Sequence, residues 1–77
     1  MKSTRRADNV VAYDIMREKA VILGAEINRV TPDDDTAVRR LIDLDEEVDA
    51  VDGYDRAAVD RMDTILASRI HAIRAMN

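Results

Sequence analysis

Along this 77-residue chain the apolar residues recur at helical spacing in three segments. In the middle segment Ala37, Leu41, Leu44, Val48 and Val51 follow at steps of 4, 3, 4 and 3, the two-per-seven seam of a packed helix. The last segment aligns Val59, Met62, Leu66, Ile70 and Ile73, with Ala58 and Ile65 widening the stripe. The first carries Ala12, Met16, Ala20, Leu23, Ile27 and Val30, and a second strip of Val11, Ile15 and Ile22 broadens its apolar face. No segment alternates apolar and polar residues with the period of two expected of a half-buried strand.

Two breaks divide the pattern. At Thr31-Pro32-Asp33-Asp34-Asp35, Thr31 can cap free N–H groups, Pro32 suits a first helical turn, and the carboxylates favour the positive end of the helix dipole. At Asp52-Gly53-Tyr54-Asp55, Gly53 is expected to take the left-handed conformation that ends a helix, and Asp55 to cap the next one. Gly24 costs about 1 kcal/mol relative to Ala, yet the stripe passes through it, so one long helix with a bend or close contact there is expected. Arg5 and Arg6 oppose the dipole at a helix start, so residues 1–7 read as a flexible basic arm and Asp8 as the cap. The reading is therefore a single all-α domain over 8–77, with helices near 8–29, 32–51 and 55–76. Loops this short make neighbouring helices antiparallel. A three-helix bundle, or a long helix plus a helical hairpin, satisfies the pattern, and dimerisation would complete its core.

Composition narrows the chemistry. There is no cysteine and a single histidine, His71, which excludes disulfides, thiolate metal sites and an all-nitrogen metal site within one chain. The aromatic residues are Tyr13 and Tyr54 alone, so the core is aliphatic. No run approaches the roughly 18 apolar residues of a membrane span. The basic start has no apolar segment behind it, so a cytoplasmic protein is expected. Twelve of the sixteen acids are Asp and ten of the twelve bases are Arg, a bias that fits a GC-rich bacterial or phage genome.

Catalysis finds little support. His71 has Ala67, Ser68, Arg74 and Ala75 as its helical neighbours, so no carboxylate one turn away orients it as a base. A calcium loop with Gly53 in its glycine position would begin at Val48 and end at Val59, apolar where oxygen ligands are needed. A looser divalent cluster of Asp49, Asp52 and Asp55 is the remaining metal option. Gly24 and Gly53 lie too far apart for a phosphate-binding glycine loop, and basic residues are not interleaved with aromatic ones as in nucleic-acid binders. Neither enzymatic activity nor a metal or cofactor is expected.

Charge is the informative feature. Residues 1–30 hold six bases and four acids, residues 31–63 four bases and twelve acids, and residues 64–77 two bases and no acid. Acids crowd the second half of the middle helix, where the dipole prefers cations, and Asp43 with Glu47 and Asp45 with Asp49 are like-charge pairs one turn apart. Local rules broken together point to function. Asp43, Asp45, Glu46, Asp49, Asp52, Tyr54 and Asp55 are therefore the candidate partner-binding residues. Against this stand a merely solvated acidic face and internal compensation by Lys2, Arg5, Arg6, Arg56 and Arg61. The expected function is that of a small acidic protein-interaction module, an adaptor, inhibitor or antitoxin-like regulator that meets a basic protein surface and forms a homodimer. A nucleic-acid mimic and a minor structural component of a larger assembly are the alternatives. Direct DNA binding through Lys2, Arg5 and Arg6 is opposed by the acidic body.

Overall fold

Three helices make up the computed structural model: α1 (Lys2–Val30), α2 (Asp34–Asp49) and α3 (Arg56–Ala75). It describes residues 2–30 and 34–76, with side chains over 9–30 and 35–76. No strand occurs among the described residues. The fold is all-helical, as the periodicity requires.

α1 is the spine. Its 29 residues, at about 1.5 Å of rise each, account for most of the 49 Å length of the molecule, whose other extents are 22 and 14 Å. Along it, Lys19 pairs with Asp63 and Glu26 approaches Arg74, so α3 runs parallel to α1. Arg17 pairs with Asp49 and Gly24 meets Leu41, so α2 runs antiparallel to α1. The α1–α3 packing is the most extensive of the three helix pairings and α2–α3 the slightest.

One aliphatic core joins the helices. Met16, Leu23 and Ile27 of α1 meet Leu44 and Val48 of α2 and Val59, Leu66, Ile70 and Ile73 of α3. These residues fall on the predicted seams, and no polar or charged residue is buried among the described ones. The second α1 strip lies outside this core: Val11, Ile15 and Ile22 are all exposed.

The ends of the helices adjust the sequence reading. α1 begins at Lys2 rather than near residue 8. Lys, Arg and Ala are good helix formers, and extending an existing helix adds one hydrogen bond per residue, which outweighs a screened dipole penalty. The expected cap at Thr31 and Pro32 lies outside the described residues. α2 stops at Asp49, after which Val51 N–H donates to the Val48 carbonyl at 3.1 Å, a tightened final turn. Asp55 caps α3 as expected, its side chain accepting from Ala58 N–H at 3.1 Å.

The two glycines serve close packing. Gly53 does not adopt the expected left-handed conformation, since no glycine has a positive φ. What it provides is space: a Cβ there would stand 3.3 Å from the Tyr13 ring, so the α2–α3 turn lies against α1. At Gly24 the expected close contact is present, with a Cβ meeting Leu41 Cδ2 at 3.3 Å. Removing one side chain lets α2 approach the spine.

Candidate functional site

The acidic residues flagged in the sequence do not lie on one face of the molecule. Helical geometry turns successive residues by about 100°, so Asp43, Asp45 and Glu46 point in different directions around α2. Asp43 lies beside Arg40 on a groove of about 350 Å³ where all three helices meet. Glu46 projects to solvent, and Asp45 lines the groove between α1 and α2. None of these three side chains forms a hydrogen bond or ion pair with another described residue. Arg39, one turn before Asp43 on α2, makes no ion pair with it.

The other acids are engaged. Asp49 accepts from Arg17 at 3.2 Å, and Arg17 also reaches the Tyr13 hydroxyl at 3.3 Å, with its guanidinium carbon 5.8 Å from that ring's centre. Those contacts, the tyrosine hydroxyl first and the carboxylate second, raise the Arg17 pKa. Glu47 takes two hydrogen bonds from Arg69, at 2.5 and 3.4 Å, which lower its pKa and raise that of the guanidinium. Asp52 accepts from Tyr54 N–H at 2.9 Å and so shapes the turn. Asp49, Asp52 and Asp55 are thus each committed to a different partner. No group of three or more potential metal-ligating side chains occurs among the described residues.

Internal compensation therefore operates, but through different bases from those the sequence suggested. Arg56 bonds Asp60 on its own helix and Arg61 meets no acid among the described residues. Arg17 and Arg69 neutralise the acidic helix instead, because the antiparallel register brings them to it. The side chains of Lys2, Arg5 and Arg6 lie outside the described residues.

What the fold assembles is a groove. The α1–α2 cleft measures about 650 Å³, with Ala20, Val21, Gly24, Leu41, Leu44 and Val48 along its floor and walls. Val21 is 73% exposed there, a large apolar side chain presented to solvent. Asp14 and Glu18 from α1 and Asp45 from α2 stand on its margins, and none of the three bonds another described residue. Arg17, the lone base among the described residues that line the groove, is already held by Asp49. The result is an apolar floor under an uncompensated acidic rim.

Sequence reasoning missed Asp14 and Glu18 because they sit in a segment that is basic on balance. A signal was present nonetheless: they are like charges one turn apart, the same departure that marked α2. Tyr54, another of the candidate partner-binding residues, is 88% exposed at the tip of the α2–α3 turn and does not line the groove. His71 lies on the opposite side of α1, in a shallow α1–α3 groove with Lys19, Ile22 and Ile70.

No family model, curated protein or solved structure matches the chain. No described helix is long and apolar enough to cross a membrane.

Proposed function

We propose that this chain is a helical protein-interaction module that receives a basic, partly apolar segment of a partner protein in the α1–α2 groove. The observation that carries this reading is the pairing of an open aliphatic floor with three unbonded carboxylates, Asp14, Glu18 and Asp45, on its rim. An apolar floor supplies affinity through burial, while the rim charges steer encounter and select the partner's sign. That floor also favours a protein segment over mimicry of nucleic acid, for which acids alone would suffice. Asp43 and Glu46 face elsewhere and contribute to long-range attraction only. Self-association belongs to the same reading, because Val11, Ile15 and Ile22 leave a second apolar face of α1 uncovered.

The test is affinity capture from source lysate with stepwise salt elution, comparing two double variants. Asp14→Lys with Asp45→Lys reverses the groove rim, and Asp43→Lys with Glu46→Lys makes the same charge change outside it. The expected outcome is a stoichiometric, salt-released basic partner that the groove variant loses and the outer variant retains. The reverse pattern would move the site to the outer face of α2. No partner at low salt with the unaltered protein would overturn the function.

A further inference from the structure

At its N-terminal end α1 outreaches the rest of the molecule. The α2–α3 turn lies against it at Tyr13, beside Gly53, and the parallel helix α3 starts at Arg56, just after that turn. Among the described residues, none before Ala12 packs against the core. The ten residues from Lys2 to Val11 are helical all the same, and they carry α1 about 15 Å past its neighbours. Val10 and Val11, the large apolar residues of this stretch, are 55 and 54% exposed.

The overhang and the α1–α2 cleft are complementary in charge. Counting every charged residue, the overhang holds Lys2, Arg5 and Arg6 against Asp8, a net charge of +2. The described residues that line the cleft hold Asp14, Glu18 and Asp45 against Arg17, a net charge of −2. Arg17 is taken by Asp49, and no described side chain bonds the three acids. The two surfaces also match in length and in apolar content. From Asp14 to Gly24 the α1 wall of the cleft runs about 15 Å, the length of the overhang, and Val21 stands open upon it. Lys2, Arg6 and Val10 fall at steps of four, positions that share one face of a helix.

The overhang cannot enter the cleft of its own chain. α1 is one continuous helix from Lys2 to Val30, so its first residues lead away along the axis of the helix that forms the cleft wall. Only the cleft of a second copy is within its reach.

We propose that the overhang of α1, residues 2–11, docks in the α1–α2 cleft of a second copy, so that the chain self-associates and its own basic segment competes with the partner for that cleft. The proposal rests on the reading that the cleft takes a basic, partly apolar segment, and it adds a concentration-dependent regulator of that site.

Sedimentation equilibrium of the full chain, over a concentration series at low salt, tests it. The unaltered protein is expected to self-associate. Arg5→Glu with Arg6→Glu reverses the overhang and is expected to raise the dissociation constant at least tenfold. Helicity is expected to hold, because acids suit the start of a helix. Asp14→Lys with Asp45→Lys in the cleft is expected to weaken association as much, and Asp43→Lys with Glu46→Lys outside it far less. Mixing the overhang and cleft variants is expected to restore association, since the native overhang of one meets the native cleft of the other. A monomer at every concentration, association that survives either of the first two changes, equal loss in the outer variant, or a mixture that stays monomeric would each overturn the proposal.

Partner capture is read separately, on the overhang variant, whose cleft is native and unoccupied by a second copy. Capture of a basic partner by a protein that never self-associates overturns this inference and leaves the proposed function standing. Self-association that follows the expected pattern, with no partner captured, upholds the inference and removes the function.

Discussion

The two sides of α1 are built from the same kinds of residue and close differently. Toward α3, Leu66 and Val59 are almost wholly enclosed against Met16, and the salt bridge between Lys19 and Asp63 spans the boundary at 2.8 Å. Toward α2, Leu41 is only partly covered, Val21 is open to solvent, and the rim acids have no counterions among the described residues. The difference begins with length: α3 has 20 residues to lay along the spine and α2 has 16. It continues with charge, since Asp45 of α2 shares the cleft with Asp14 and Glu18 of α1, and no described side chain bonds any of the three. A helix pair that packs fully holds the fold, and one that packs incompletely leaves a surface free to bind.

The comparison is broken most directly at the core. Leu66→Ala removes a fully enclosed side chain from the α1–α3 side and is expected to cost about 2–5 kcal/mol in urea unfolding. Leu41→Ala, at the groove wall, is expected to cost less than half as much, because solvent already reaches it. Equal costs would mean that the two sides are equally closed.

A smaller effect comes from the α3 cap. Asp55→Ala deprives Ala58 N–H of its acceptor and is expected to lower stability by about 1 kcal/mol, measured by thermal unfolding. The change should leave groove binding intact, since Asp55 takes no part in the cleft.

Gly24 sharpens the groove side, with opposite sign. Ala at this position gains up to about 1 kcal/mol of helix propensity, while its Cβ presses on the flexible end of Leu41 at 3.3 Å. Because Leu41 borders open space, it can shift, and a net stabilisation of a few tenths of a kcal/mol is expected. Partner affinity should fall as the displaced leucine fills the groove, a separation visible by titration calorimetry.

The smallest effect is on acid stability. Hydrogen bonds from Arg69 lower the Glu47 pKa, and the bond from Arg29 lowers that of Glu26. A carboxylate with a depressed folded pKa contributes stability that is complete above its unfolded value, near 4.3. That contribution disappears as pH falls through the folded value. Glu47→Gln should therefore flatten the stability profile below about pH 4.3. The change should be only a few tenths of a kcal/mol, because both partners are nearly half exposed.

Much of the scaffold was legible in the residues. The seam through Leu44 and Val48 and the stripe through Val59, Leu66, Ile70 and Ile73 became the core, and Asp55 capped the helix it precedes. Gly53 was misread, because a glycine between helices signals either an unusual backbone angle or a close neighbour, and the neighbour, Tyr13, is forty residues away in the chain. The candidate site was legible only in part. Asp45 lines the cleft, but Asp49 is neutralised by Arg17, and Asp52 and Asp55 are spent on backbone N–H groups.

By itself the sequence determined three amphipathic helices, an aliphatic core without buried charge, and an excess of acid concentrated in the second helix. Those properties follow from residue type and spacing, which act over a few residues at most. The tertiary structure decided which acids are neutralised and which are left without a partner. That outcome depends on register: Arg17 reaches Asp49 and Arg69 reaches Glu47 across 32 and 22 residues of chain, while Asp14, Glu18 and Asp45 line one cleft and are bonded to no described side chain. Coulomb attraction acts on distance in space, and only the packed helices set that distance.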